Sequence, residues 1–184
     1  KGLRARALRG KWETALRVGY RWSSGVLGVS VMPVDPAEVI MPALDELSLG
    51  PADVEIDLGS DVPEMVADPA LLQRVVVNLL SNALRYEPAG SRVRLAESSF
   101  ANQVEIRVID HGPGIPEDRR GDVMVPFQRL GDTDSSVGLG LGLALSKGFV
   151  EGMDGTLALE DTPGGGLTMV ISLPRVGVEE ASVQ

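Results

Sequence analysis

The segment ADPALLQRVVVNLLSNALRYEP (residues 67–88) constrains the fold more than any other part of the chain. Asp68 and Pro69 form a helix start signal, since aspartate caps the first free amides and proline suits the first helical position. Apolar residues then recur at helical spacing and predict one buried face; they are Leu72, Val75, Val76, Leu79, Leu80 and Ala83. The segment therefore predicts a long amphipathic helix packed on a core.

The rest of the chain alternates shorter patterns. A second Asp-Pro pair, Asp35 and Pro36, predicts another helix, and a third is expected over residues 141–151. Alternating or apolar runs predict strands at residues 26–34, 54–58, 92–97, 103–110, 155–160 and 166–174, with a polar turn over residues 98–102 and a long loop over residues 112–140. About three helices and at least five strands fit an α/β (α+β) two-layer sandwich.

Charge divides the chain into unequal parts. Residues 1–25 carry seven Lys and Arg against Glu13 alone, a net charge of +6. Since the whole chain has a net charge of −9, the remaining residues carry −15. An acidic body argues against nucleic acid as a partner, because that binding depends on phosphate neutralisation. The basic segment has apolar residues at helical spacing, so it is either the end of a docking helix or a solvated tail.

Length and composition set the domain organisation. The 184 residues predict one domain, residues 26–174, between the basic segment and a disordered tail over residues 175–184. No apolar run is long enough to span a membrane, and no cysteine is present, which fits a cytoplasmic location. The first residue is Lys1 with no signal-like stretch behind it, so we expect a piece of a longer chain.

Four polar residues share one face of the long helix. Asn78 and Asn82 are one turn apart, and Arg85 and Tyr86 follow at the next turn. Two amide oxygens at that spacing suit Mg²⁺, which is completed by water and substrate phosphates, and Arg85 suits a phosphate. The alternative is the solvated polar face of an ordinary amphipathic helix.

A carboxylate ends one of the predicted strands. Asp110 is followed by HGPGIP, so the glycines at positions 112 and 114 leave room for a planar ring beside an acceptor suited to an amine. An ordinary Asx turn explains the same residues. His111 is the only histidine, which rules out a multi-histidine metal site in this chain, and a loop role is expected for it.

The stretch GLGLGLALSKG (residues 138–148) places three glycines at alternate positions before a predicted helix. Its spacing matches neither the dinucleotide fingerprint nor the P-loop, both of which require glycine elsewhere. What remains is a loop whose amides run into a helix N-terminus, a geometry that suits an anion. A bland glycine-rich loop is an equal alternative.

Five motifs occur in order along the chain: NLLSNALRYEP, DHGPGIP, PFQRL, GLGLGLAL and GGGLTMVISLP. Together they resemble the N, G1, F, G2 and G3 boxes of sensor histidine kinases, and residues 149–174 are further similar to the potassium-responsive kinases of that family. The resemblance covers about residues 34–174 and implies the Bergerat fold of gyrase-type and chaperone ATPases. It implies three helices on a mixed sheet, with ATP between the N-box helix and a lid.

The resemblance also implies a role for each matching residue. Asn78 and Asn82 would bind Mg²⁺ and act with Arg85 on the phosphates. Tyr86 would flank the nucleotide, and Asp110 would accept the adenine amine. The further nucleotide contacts would be Gly112, Gly114, Ile115, Phe127, Arg129, Gly138, Leu139, Gly140, Leu141, Gly142 and Thr168.

Two residues depart from the family pattern. Glu87 replaces the usual hydroxyl residue after the tyrosine and would add negative charge near the phosphates, and Met124 stands where an aromatic residue is common. No acceptor-histidine motif is present. The phosphorylated histidine is therefore expected on a dimerisation domain outside this sequence, and a response regulator is expected as a further partner.

Two rival functions stay open on sequence alone. An ATP-hydrolysing or serine-phosphorylating relative generally has a glutamate base one turn before the metal-binding asparagine, where this chain has Asn78. A nucleotide-binding interaction module would hold ATP to change shape and would transfer nothing.

Overall fold

The computed structural model describes residues 22–24, 29–59, 61–125 and 142–177. Its strands are β1 (Trp22–Ser24), β2 (Val29–Val34), β3 (Val54–Asp57), β4 (Met65–Ala67), β5 (Val93–Phe100), β6 (Gln103–Ile109), β7 (Thr156–Asp161) and β8 (Leu167–Pro174). Its α-helices are α1 (Pro36–Glu46), α2 (Pro69–Tyr86), α3 (Arg120–Val123) and α4 (Gly142–Gly152), with a 3₁₀ turn at Glu117–Arg119.

Helix α2 confirms the prediction made from its apolar stripe. The side chain of Asp68 accepts from the main-chain N–H groups of Ala70 and Leu71, and Pro69 occupies the first turn. The six residues of the predicted stripe are all fully buried. Helix α1 likewise starts at a capping Asp35, whose side chain accepts from the amide of Ala37. Local start signals and periodicity were therefore sufficient to predict both helices.

A five-stranded mixed sheet forms the second layer, in the order β3-β5-β6-β8-β7. Strands β3 and β5 are parallel, and every other neighbouring pair is antiparallel. The inner residues of β5, β6 and β8 pack in one core with α1, α2 and α4. The predicted two-layer sandwich is confirmed.

Sequence patterns missed a second, smaller sheet. Strands β1, β2 and β4 form it in the order β1-β2-β4, with both pairs antiparallel. Strand β4 has only three residues, and all three are buried, so it has no alternation that a pattern search could detect. The strand is defined by its pairing with residues 32–34 of β2.

Two predicted loops differ from the structure. The turn expected over residues 98–102 is shorter, because β5 continues in register with β6 to the pair Phe100 and Gln103. The loop expected over residues 112–140 contains the 3₁₀ turn and α3 in its first half. Its residues 126–140 lie outside the described part of the chain.

The predicted terminal segments are described only in part. Of the basic segment 1–25, Trp22–Ser24 is described as β1. At the other end, the amide of Arg175 donates to the carbonyl of Asn102 and that of Val176 to Glu64, so the tail expected from residue 175 is held to the fold at its start. Residues 178–184 lie outside the described residues. No helix within the described part of the chain is long and apolar enough to cross a bilayer.

Candidate functional site

The polar face of α2 lies beside the start of α4. Asn78 and Asn82 are half-buried, whereas Arg85 and Tyr86 are exposed. The Nδ2 atom of Asn78 donates a 2.9 Å hydrogen bond to Oγ of Ser146, a buried residue of α4. This bond commits the amide nitrogen of Asn78 and leaves its oxygen as the acceptor for other groups.

Gly142, the first residue of α4, lies against the same asparagine. A Cβ atom at position 142 would be 2.4 Å from Oδ1 of Asn78, far closer than non-bonded atoms approach. A side chain at this position would therefore displace the asparagine. Of the glycines predicted to face phosphates, Gly142 is described and borders Asn78.

Asp110 lies at the end of β6 and is only 3% exposed. Its Oδ1 accepts from the amide of Gly112 at 2.9 Å and from that of Leu167 at 3.1 Å. Burial raises the pKa of the Asp110 carboxyl, the two amide hydrogen bonds oppose that rise, and nearby Glu87 adds to it. A buried acceptor at a strand end is thus held in one orientation by main-chain donors.

Three glycines allow the loop after Asp110 to fit between α2 and β8. A Cβ at Gly112 would lie 2.7 Å from the carbonyl oxygen of Tyr86, and one at Gly166 would lie 2.0 Å from that of Asp110. Gly166 has φ +116°, and Gly114 has φ +68° and lies against Gly166. The loop therefore touches the end of α2 on one side and the turn before β8 on the other.

Glu87 lies against the loop that follows Asp110. Its side chain is 6% exposed, and it turns to the loop after Asp110. Oε2 accepts from the main-chain N–H of His111 at 2.9 Å, and Oε1 lies 3.0 Å from Nδ1 of the ring. Burial raises the pKa of this carboxyl, but hydrogen bonds from Ser91 and from both donors of His111 outweigh burial and hold the pKa below its ordinary value.

Ile115, another predicted site residue, lies next to this loop. Ile115 packs against the core, and its carbonyl accepts at 3.1 Å from Nε of Arg120. Arg120 also donates from Nη1 to the carbonyl of Leu159 at 3.3 Å and forms an ion pair with Asp161. Sequence reasoning missed this arginine, because its partners are distant in the chain. Met124, noted as a departure, also packs against the core.

Thr168 is the predicted contact that the structure does not bring to the others. Asp110 lies opposite Leu167 and accepts a hydrogen bond from its amide, while Thr168 pairs with Ile109. Successive strand residues point to opposite faces, so Thr168 faces away from the Asp110 carboxylate. Its hydroxyl lies 2.9 Å from that of Thr162, and both residues are buried.

Several predicted contacts fall on parts of the chain that the structure does not describe. These are Phe127, Arg129, Gly138, Leu139, Gly140 and Leu141. The described contacts form two groups, one of Asn78 and Gly142 and one of Tyr86, Asp110 and Gly112. Each group includes a residue of α2, so the candidate site is the region along this helix from Asn78 to Tyr86.

Comparison with known proteins supplies the family. A family model described as histidine kinase-, DNA gyrase B-, and HSP90-like ATPase matches residues 67–177, which is more than half of the chain and runs from before α2 to beyond β8. The chain belongs to this family. The resemblance inferred from the five motifs is confirmed.

Relatives of this ATPase-family domain include sensor kinases. It is 63% identical over 154 residues to the sensor protein KdpD of Rathayibacter rathayi, covering 84% of this chain and 18% of that relative's length. Among solved structures, the mycobacterial sensor histidine kinase MprB is 32% identical with a TM-score of 0.66, over 78% of this chain and 96% of that one. Full-length ShkA, solved in complex with AMPPNP, is 25% identical with a TM-score of 0.69, and the match covers 92% of this chain and 38% of that one.

Proposed function

We propose that residues 26–174 form the ATP-binding catalytic domain of a two-component sensor histidine kinase. The domain transfers the γ-phosphoryl group of Mg-ATP to a histidine on a separate dimerisation domain. One observation carries this proposal: Asn78 beside Gly142 and the loop that follows the buried Asp110 both contact helix α2, in a chain of the histidine kinase-like ATPase family. The AMPPNP complex of the relative ShkA supports nucleotide binding.

The adenine ring would lie at the Asp110 end of the region. Both hydrogen bonds that the described residues give to this carboxylate fall on Oδ1, which leaves Oδ2 to accept the exocyclic amine of adenine. Guanine presents a carbonyl at the equivalent position, which the carboxylate would repel. Gly112 and Gly114 let the loop after Asp110 lie directly against Tyr86 and Gly166, and Ile115 packs against the core.

The phosphates would lie toward Asn78 and Asn82. The donor set fits Mg²⁺, because the oxygen of Asn78 is left over once its nitrogen bonds Ser146. The described residues hold no cluster of three or more His, Cys, Asp or Glu that would make a cage for the metal alone. Mg²⁺ commonly takes a few protein oxygens and fills its shell with water and phosphate, and it would neutralise charge on the phosphates.

The remaining nucleotide contacts follow from the motif match. Arg85 would bind phosphate, and Tyr86 would flank the nucleotide from the end of α2. Gly138, Gly140 and Gly142, with Leu139 and Leu141, would offer main-chain donors to the phosphates, and Phe127 and Arg129 would belong to the lid. Thr168 faces away from Asp110, so a direct contact with the base has no support from its position.

Transfer would proceed by in-line attack of a neutral imidazole nitrogen on the γ-phosphorus, while the bond to the β–γ bridging oxygen breaks and ADP leaves. An imidazole is already nucleophilic, so the step needs positioning and charge neutralisation more than a base. Asn78 occupies the position where hydrolysing relatives have a glutamate, and an amide cannot take a proton. This residue favours a histidine kinase over an ATPase or a serine kinase.

The partners follow from this reaction. They are ATP, the acceptor domain of the same kinase and a response regulator, and this domain would contact neither nucleic acid nor membrane. Residues 1–25 would be a remnant of a dimerisation helix. The ATP requirement places the domain in the cytoplasm. His111 is not the acceptor, because its contact with Glu87 holds it at the adenine end of the region, far from the γ-phosphate.

Calorimetry with ATP, with and without Mg²⁺, tests the binding half of the proposal. Asn82→Ala should abolish the gain in affinity from Mg²⁺, whereas Ser81→Ala, an exposed residue of the same helix, should bind as the wild type does. Equal binding of ATP and GTP by the wild type would refute the adenine assignment. Transfer is tested by adding an acceptor domain and labelled ATP; label on this chain alone, lost in His111→Ala, would overturn the division of roles.

A further inference from the structure

The three residues of the loop Asp110–Gly112 are each held by a different partner. The amide of Asp110 donates to the carbonyl of Leu167 on β8 at 2.9 Å. The amide and ring of His111 both meet the carboxylate of Glu87. Gly112 lies against the backbone of Tyr86. The side chain of Glu87 thus connects the end of α2 to this loop.

We propose that Glu87 is a positioning residue for adenine binding, which clamps His111 to the end of α2 and thereby fixes the orientation of Asp110. This inference rests on the proposed function. Glu87 is the C-cap residue of α2, and its own amide donates to the carbonyl of Ala83 at 2.9 Å. Its backbone is therefore as fixed as the helix that carries the asparagine face.

The chemistry of the clamp depends on an acceptor with two oxygens. An ionised carboxylate only accepts hydrogen bonds, so both groups of His111 that face it must be donors. The main-chain N–H meets this condition always. The ring meets it only when Nδ1 carries a proton, so Glu87 selects the Nδ1–H form of neutral His111. A serine or threonine hydroxyl has one oxygen, so it could not offer each of the two groups an oxygen of its own.

The clamp sets the distance between the two halves of the nucleotide site. Asp110 is at one end of the loop that Glu87 holds, and Asn78 and Asn82 are on the helix that Glu87 ends. A site is held within a few tenths of an ångström only when its residues are fixed by neighbours of their own. Glu87 therefore couples the adenine end of the site to the phosphate end without touching the nucleotide.

Histidine ring NMR tests the clamp directly, because His111 gives the only histidine signal of the protein. In ¹⁵N-labelled protein the neutral ring should be protonated on Nδ1. In Glu87→Gln it should shift toward the Nε2–H form that free histidine favours. A wild-type ring protonated on Nε2 would overturn the proposal, and this measurement needs no variant that might fail to fold.

Nucleotide affinity tests the consequence. Glu87→Gln should bind adenosine and ATP about tenfold more weakly, because it weakens hydrogen bonds to a charged acceptor. Both ligands should lose affinity, since the clamp acts on adenine, and ATP should lose at least as much as adenosine because it also spans the distance that the clamp sets. His111→Ala keeps the main-chain bond and should lose less, and Glu38→Gln, which removes an exposed carboxylate on α1, should bind as the wild type does.

The outcomes separate the two proposals. A wild type that binds no ATP refutes the proposed function. A wild type that binds ATP, together with a folded Glu87→Gln variant that binds adenosine equally well, refutes the clamp alone. A loss confined to ATP would also refute the clamp, because it would place the effect of Glu87 at the phosphates.

Discussion

Replacing Gly166 by alanine should damage both the fold and the adenine end of the site. Gly166 and its neighbour Gly165 have φ +116° and +111°, so alanine is strained at either position by about 1–3 kcal/mol. Gly165 has open space at its Cβ position, whereas a Cβ at Gly166 would lie 2.0 Å from the carbonyl oxygen of Asp110. The two variants share the backbone strain and differ in this collision.

The cost of relieving the collision follows from what holds Asp110. Moving its backbone would break two hydrogen bonds. The one from the amide of Asp110 to the carbonyl of Leu167 is worth about 0.5–1.5 kcal/mol, and the charge-assisted one from the amide of Leu167 to the Asp110 carboxylate is worth about 1.5–3 kcal/mol. Gly166→Ala should therefore be less stable than Gly165→Ala by about 2–4.5 kcal/mol. It should also bind ADP more weakly, because the carboxylate that would accept the adenine amine moves.

Urea unfolding of the two variants and the wild type measures the difference in stability. The slope of unfolding free energy against urea concentration should be the same in all three if each unfolds in two states. Calorimetry with ADP measures the difference in affinity. Gly165→Ala should be destabilised by the strain alone and should keep most of its affinity. Equal unfolding free energies for the two variants would refute the reasoning, since the contact with Asp110 would then carry no cost.

Three further predictions concern the same region. Gly142→Ala should lose the Mg²⁺-dependent part of ATP affinity, because its Cβ would displace Asn78, and Mg²⁺ titrations check this. Gly148→Ala is the matched control in the same helix: its Cβ would meet open space at an exposed position, so it should raise stability by about 0.5–1 kcal/mol in melting curves. Because the pKa of Glu87 is lowered, this carboxylate stabilises the fold at any pH above the ordinary pKa of glutamate, and the stabilisation is lost as pH falls through the lowered pKa of the folded state. The unfolding free energy should therefore fall more steeply on acidification in the wild type than in Glu87→Gln. The raised pKa of Asp110 acts in the opposite direction: the wild type should lose stability as pH rises from the ordinary pKa of aspartate through the raised pKa of the folded state. Asp110→Asn should lack this loss. Identical slopes of unfolding free energy against pH for the two proteins would contradict this prediction.

Features carried by neighbouring residues could be predicted from the sequence. The stripe of α2, its Asp68 cap and the polar face with Asn78 depend on helical spacing and on a side chain reaching amides two or three residues away. The motif order predicted the family and the two-layer fold, and both are confirmed. The roles of Asn82, Arg85 and the other site residues remain predictions.

Partners far apart in the chain could not be predicted. Glu87 accepts a hydrogen bond from His111, 24 residues away. Asn78 finds Ser146 across 68 residues, and Arg120 finds Leu159 and Asp161 across about 40. Which donor a carboxylate or amide meets depends on how helices and sheet pack, and no local pattern records that packing.

The sequence by itself determined the local elements, because capping, periodicity and the absence of a side chain at glycine act within a few residues. Only the tertiary structure decided which of those elements face one another. It placed Thr168 on the sheet face opposite Asp110, although both lie at the same end of the paired strands β6 and β8. The physical reason is strand register: a shift of one residue turns every side chain to the other face, and register is set by pairing between distant segments.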